Sequence, residues 1–294
     1  MSATPNRSFL TGLLSSLVLA LAWLVARLPL SWLQSAGALS GRVALRASGA
    51  FRRKTEQHLA IAGLPVTELA TASAGQVGAA AAETLWIWFS RDERLKPLIR
   101  TEGMEWLLAA KASGRGVILL TPHLGSFEAA ARMVAFSFPI TVLYKPPRGA
   151  LGHSLILEGR NRPGVHLAPA SASGVRSLVR ALRRGEAIGV LPDQVPSQGE
   201  GTWVPFFNRL AYTMTLPERL ARLTGAVVLM GHAERLQHGQ GWQMRIEPLE
   251  TDPTPLEVNR AMEKIIRRLP EQYFWGYNRY KAPPGVSQPV REDA

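Results

Sequence analysis

The chain contains no cysteine. That excludes a disulfide framework, a thiolate-ligated zinc or iron–sulfur site and a cysteine nucleophile. The G-x-S-x-G elbow of a serine hydrolase is also missing; Gly152-His153-Ser154-Leu155-Ile156 comes nearest and has no second glycine. There is no P-loop and no G-x-G-x-x-G fingerprint. Acidic side chains are few: 22 against 34 Lys and Arg leave the 294 residues with a formal charge of +12. Such a balance favours anionic partners: phospholipid surface, phosphorylated lipid, nucleic acid or an acidic protein. Apolar residues make up 46%, so a full core is available, and the length allows one large domain or two ordinary ones. No internal repeat is visible.

Long uncharged runs are present once. Ser8 to Ala26 is 19 residues without a charge. As a helix it would be about 28 Å long, close to the roughly 30 Å of a bilayer core. Behind it come Arg27, Arg42, Arg46, Arg52, Arg53 and Lys54 before the first acid, Glu56. That bias places the bulk of the chain on the cytoplasmic side of a membrane. Trp23 and Trp32 suit the interface. The expectation is a membrane anchor over residues 1–34, spanning or monotopic. Two rival readings are a signal peptide, for which Ala36-Gly37-Ala38 has the form of a cleavage site but stands beyond Arg27 and Pro29, and a buried helix diluted by Gly12.

Residues 35–60 read as helical and basic, and 76–92 as an Ala-rich helix ending in aromatics. From about residue 115 short aliphatic runs alternate with helical stretches. Strands are expected at 117–121, 140–144, 165–167, 187–191, 226–230 and 242–246. Helices are expected at 126–136, 151–160, 174–184, 215–223 and 256–269, with a Gly/Pro-rich loop following the 187–191 strand up to Asn208. Such alternation predicts an α/β domain with a largely parallel sheet flanked by helices, here over residues 35–282. The polar, Pro-rich 283–294 reads as a disordered tail. Arg176, Arg180, Arg183 and Arg184 share one helix face opposite Val175, Leu178, Val179 and Leu182. That face is either simply solvated or a docking site for an acidic partner or anionic headgroups.

In an open parallel sheet, sites gather at the carboxyl ends of strands. His123 follows one strand end directly, and Glu128 comes five residues later. Gly125 between them permits a sharp turn, so the carboxylate could fold back on the imidazole and prepare it as a general base. The plain alternative is a helix cap, with Ser126 at the N-cap and Glu128 in the first turn. Asp193 and Gln194 occupy the matching position on another strand; Asp193 could equally cap a turn. Tyr144, Lys145 and Pro146 end a third strand. Arg160, followed by Asn161 and Arg162, could stabilise an oxyanion, hold a phosphate or be a surface charge. His232, Glu234 and His238 match no standard zinc spacing.

Together these segments resemble a family. His123-Leu-Gly-Ser-Phe-Glu128 looks like the H-x₄-D/E motif of lysophospholipid-type acyltransferases. Tyr144-Lys-Pro, Arg160, Leu191-Pro-Asp-Gln194, Val204-Pro-Phe-Phe207 with Thr213, and Pro270-Glu-Gln-Tyr-Phe-Trp275 resemble the late lipid A biosynthesis acyltransferases (lauroyl and myristoyl transferases). The likeness covers roughly residues 10–282. H-x₄-E alone is a weak signal; the ordered set is a strong one.

The resemblance implies acyl transfer from acyl-carrier protein to a hydroxyl of a lipid A precursor, at the cytoplasmic face of a bacterial inner membrane. His123 would take the proton of the acceptor hydroxyl, and Glu128 would orient and charge-balance His123. Arg160, Asp193, Gln194, Tyr144 and Lys145 would bind substrate. No cofactor and no metal are implied, and no covalent acyl-enzyme is required. Acyl-carrier protein and an anionic lipid acceptor are the implied partners. Another acceptor (a glycolipid, ornithine lipid or lysophospholipid, served by acyl-CoA) is the alternative. The sequence departs from the family pattern W-x-H-R-R-F-K in Trp275-Gly-Tyr277-Asn278-Arg279-Tyr-Lys281, where Tyr277 and Asn278 replace His and Arg; Ser126 stands where a larger polar residue is frequent.

Overall fold

The architecture was obtained as a computed structural model. It describes residues 7–145, 147 and 150–289, the side chains of residues 7–13, 150 and 151 excepted; Pro146 and parts of the anchor and tail lie outside them.

The first part is helical: α1 (Arg7–Val25), α2 (Leu30–Ala47), α3 (Gly49–Ile61), α4 (Val66–Phe89) and a single turn, α5 (Asp92–Leu95). The expected basic helix over 35–60 is two helices, because Ser48 is extended and its hydroxyl accepts from the Phe51 N–H, which caps α3. The Ala-rich helix begins ten residues earlier than its pattern suggested, just after Pro65. α1 and α2 meet at an angle of 113°, and no single described helix is long and apolar enough to cross a membrane.

The remainder alternates: β1 (Ile99–Glu102), α6 (Met104–Ala112), β2 (Val117–Leu120), α7 (Phe127–Ala135), β3 (Ile140–Tyr144), α8 (Ala150–Arg160), β4 (Val165–Pro169), α9 (Ala172–Arg183), β5 (Ala187–Val190), β6 (Gly201–Phe206), β7 (Arg209–Met214), α10 (Leu216–Thr224), β8 (Val227–Arg235), β9 (Trp242–Pro248) and α11 (Pro255–Arg268). Seven strands form one sheet in the order β1-β9-β8-β2-β5-β3-β4. All neighbours are parallel except β8 and β9, so the expected largely parallel α/β sheet is present with a reversed edge.

β6 and β7 form a separate antiparallel hairpin where a loop was expected. Pro205 and the preceding Gly and Pro residues hide its alternation. It is held by α11: the Asn259 amide donates to the Pro205 carbonyl at 2.7 Å, and Glu263 accepts from the Phe207 N–H at 2.6 Å.

The central strands are apolar at every position because both sheet faces are covered. Ile118 and Leu120 point into one cluster, with Leu178 and Leu182 of α9 and Met262 and Ile266 of α11. Val117 and Leu119 point into the other, with Met133 and Val134 of α7 and Trp86 and Ile87 of α4. The apolar stripe of α9 is therefore spent on the core, and its four arginines face outward. α2 packs on α4 through small residues: a Cβ on Gly41 would come within 2.0 Å of the Ala74 carbonyl oxygen, and one on Gly78 within 2.0 Å of the Gly37 carbonyl oxygen. Past Lys281, Gln288 donates to the Tyr280 carbonyl and Gln198 to the Gly285 carbonyl.

Candidate active site

The site grows out of strand register. β2 and β5 are parallel neighbours with Leu120 opposite Val190. Three residues beyond each end stand His123 and Asp193, side by side. The His123 backbone N–H donates to Asp193 Oδ2 at 2.8 Å, and ring atom Nδ1 lies 2.7 Å from Asp193 Oδ1. The carboxylate is buried, and the ring keeps 18% of its side-chain surface exposed. Burial pushes the Asp193 carboxyl up, but the His123 ring, its two N–H donors and the Arg279 guanidinium outweigh it, so the carboxyl sits below its ordinary range. An ionised carboxylate only accepts, so Nδ1 carries the proton and Nε2 keeps its lone pair. The Gln194 amide nitrogen is 3.1 Å from that lone pair. Phe127 meets the ring edge-on, with centroids 5.1 Å apart.

Glu128 does something other than expected. It is the second residue of α7, and its carboxylate is taken by two partners from other helices. Trp88 Nε1, at the end of α4, donates to Oε2 at 2.8 Å. Arg160, at the end of α8, donates Nε to Oε2 at 3.2 Å and Nη2 to Oε1. The Arg160 guanidinium also lies over the Trp88 ring, 5.5 Å from its centroid. Glu128 makes no hydrogen bond to His123. The reason is helical geometry: the first turn of α7 carries Glu128 away from the sheet end, and a buried carboxylate needs its own cation. The pairing expected between His123 and Glu128 is thus corrected to His123 with Asp193, and Glu128 with Arg160. Ser126 is at the N-cap of α7, but its side chain makes no capping bond.

Tyr144 is half-buried and tilted against His153 at 6.3 Å, and Lys145 is exposed with no hydrogen bond or ion pair among the described residues. Neither touches His123. Arg162 donates to the Trp88 carbonyl. His232 and Glu234 lie on β8 and His238 beyond it, and the described residues contain no group of three side chains able to hold a metal ion.

Four contributors went unread in the sequence. Trp88 was only the aromatic end of a helix, yet it joins Glu128 to Arg160. Tyr277, noted as a departure, accepts from the Val195 N–H at 2.9 Å and so holds the turn that carries Asp193. Arg279 is buried and donates to the Tyr212 carbonyl at 2.8 Å and to Thr213 at 2.6 Å. Phe274 donates its N–H to the His123 carbonyl at 3.1 Å. Beside Glu128 lies a small apolar hollow, walled by Phe127, Ala131, Val142, Leu143, Val165 and Leu191, of about 40 Å³. Ordinary ligand pockets hold roughly 300 Å³ or more.

Residues 2–282 match the family model described as bacterial lipid A biosynthesis acyltransferase. The chain is 28% identical over 276 residues to the lipid A biosynthesis lauroyltransferase of Escherichia coli (strain K12), covering 89% of each. It is 31% identical over 215 residues to the lipid A biosynthesis palmitoleoyltransferase of the same organism, covering 71% of this chain and 70% of that one. A lipid A biosynthesis acyltransferase of Haemophilus influenzae is 30% identical over 181 residues, covering 59% of this chain and 56% of that one.

Proposed function

Since the chain belongs to the bacterial lipid A biosynthesis acyltransferase family, we propose that it moves a fatty acyl group from the thioester of acyl-carrier protein to a hydroxyl of a lipid A precursor, with His123 as general base and Asp193 as its partner. One observation carries the assignment: a partly exposed imidazole whose Nδ1 is held by a buried, ionised carboxylate. Nε2 takes the proton of the acceptor hydroxyl as its oxygen attacks the thioester carbonyl. A C–O bond forms, the C–S bond breaks, and the imidazolium returns the proton to the departing thiolate. Asp193 holds the ring in the right tautomer and balances the imidazolium that forms. Gln194 now sits where the hydroxyl must arrive, so its amide swings aside when substrate binds. The Glu128–Arg160 pair forms the polar edge of the apolar hollow, which widens to admit the acyl chain.

The first two helices give the chain its membrane. Leu14, Leu17, Leu21 and Leu24 form an exposed stripe on α1, while Ala22 and Ala26 are buried on the other side. On α2, Trp32 is 68% and Leu39 62% exposed. Arg27 stacks on Trp23 at 3.3 Å from the ring centroid. A helix with one face on its own domain and the other in leucine suits one leaflet of a bilayer better than a crossing, and the cations beside it suit anionic headgroups. On this reading the site works at the cytoplasmic surface of the inner membrane, the side favoured by the basic residues that follow α1.

The test is direct. Purified protein in vesicles, supplied with acyl-carrier-protein thioester and a lipid A precursor, adds one acyl chain by mass spectrometry, and His123→Ala does not. Transfer that survives in His123→Ala removes the mechanism. Acylation of a lysophospholipid from acyl-CoA, with the lipid A precursor untouched, removes the acceptor.

A further inference from the structure

The segment from Thr121 to Ser126 has no regular structure, yet its backbone is tied nearly everywhere. Thr121 donates to the Val190 carbonyl, Gly125 to the Gln272 carbonyl at 3.0 Å and Ser126 to the Ala233 carbonyl at 2.8 Å. Gly125 has φ +61°, and a Cβ there would stand 2.0 Å from the Ala233 carbonyl oxygen, so only glycine fits. Its own carbonyl accepts from Arg235 Nη2 at 3.0 Å.

Arg235 is itself held on all sides. Nε and Nη2 donate to the two oxygens of Glu83 at 2.8 and 2.6 Å, and Nη1 donates to Gln76 at 2.8 Å. Glu83, fully buried in α4, also accepts from Trp242 Nε1 at 3.2 Å and from Gln34 of α2 at 2.8 Å. The Gln272 side chain brackets the Arg235 backbone, accepting its N–H and donating to its carbonyl. A buried ion pair is a weak source of stability relative to apolar residues of the same volume. What apolar residues cannot reproduce is a donor aimed at one carbonyl two residues from His123.

We propose that Arg235, fixed by Glu83, is a positioning residue for the general base: it sets the place of His123 through the Gly125 carbonyl, while Asp193 fixes which ring nitrogen carries the proton. The inference rests on the acyl-transfer reading above. A misplacement of about 1 Å at a reacting group costs on the order of a hundredfold in rate. Arg235→Lys keeps a cation beside Glu83 but gives up the planar fork. The paired replacement Glu83→Leu with Arg235→Met removes both charges at similar volume.

Each variant is compared with the parent by thermal melting, kcat, KM for both substrates and the pH–rate profile. The expected result is a kcat roughly 10- to 100-fold lower. Both KM values stay within about twofold, the profile keeps its position, and at least one variant melts cooperatively. A folded variant with parental kcat overturns the proposal. So does a loss carried by KM, a displaced pH profile, or loss of the melting transition in both variants, which would make the pair purely structural. A parent that transfers no acyl group refutes the acyl-transfer reading instead.

Discussion

Asp193→Asn separates the observed dyad from the expected one. The replacement keeps the shape of the side chain and removes its charge. Asn Oδ1 can still accept from the His123 backbone N–H, now made to Asp193 at 2.8 Å. Its NH₂ then faces Nδ1, 2.7 Å away in the parent, and drives the ring proton to Nε2, the atom that must be free. The developing imidazolium also loses its counter-ion. Two unit charges about 4 Å apart attract by about 4 kcal/mol at an effective dielectric of about 20. That alone is about a thousandfold in rate, and the wrong tautomer extends the loss toward about 10⁴. Initial rates of acyl transfer across pH 5–9, followed by mass spectrometry on vesicle-bound enzyme, give both kcat and the profile. The expected result is a kcat lower by at least about 10³. Glu128→Gln should lower activity through the Arg160 contact alone, with the His123–Asp193 contact intact. The reasoning fails if Asp193→Asn keeps a rate within roughly tenfold of the parent.

Two further outcomes follow from the same geometry. His232 is buried on β8 with an Nδ1 that has no partner among the described residues, and burial, then the Arg268 charge, bring its pKa down to about 4 from 6.5. The folded state therefore favours the neutral ring; this stabilisation is complete above pH 6.5 and is lost as pH falls toward 4, about 3 kcal/mol in all. His232→Leu should narrow the gap between melting temperatures at pH 7.5 and pH 4.5, and an unchanged gap would contradict the assignment. Leu21→Glu with Trp32→Glu should release the protein from anionic vesicles in a flotation assay without shifting its melting temperature; retention on vesicles would show that the exposed stripe is not the membrane contact.

Much of the sheet was legible because its strands are short aliphatic runs closed by polar residues. The strand from Ile140 to Tyr144 was read to the residue, and the helix ending at Arg160 began within one residue of its pattern. β1, Ile-Arg-Thr-Glu, was invisible since a half-exposed edge strand needs no apolar run. The hairpin from Gly201 to Met214 was hidden by proline and by a turn at Phe207, which takes φ +50°. The site was partly legible for a related reason. His123 and Asp193 could each be placed at a strand end, but their contact depends on β2 and β5 being neighbours in register, and strand order is a long-range property. Chain proximity instead favoured Glu128, five residues from His123. Only the three-dimensional path of α4 and α8 shows that Trp88 and Arg160 have claimed it.

The glycine seam between α2 and α4 has a consequence for handling the protein. Backbone meets backbone there, with no side chain to yield, so the helix that exposes Trp32 and Leu39 is also a wall of the domain that holds Glu83. Cutting the chain after α2 to obtain a smaller enzyme would bare the groove along Ala74 and Gly78 and take the Gln34 amide from the buried Glu83 carboxylate. On α2, solubility must come from recolouring the outward Trp32, Leu39 and Val43, since amputation would unmake the scaffold.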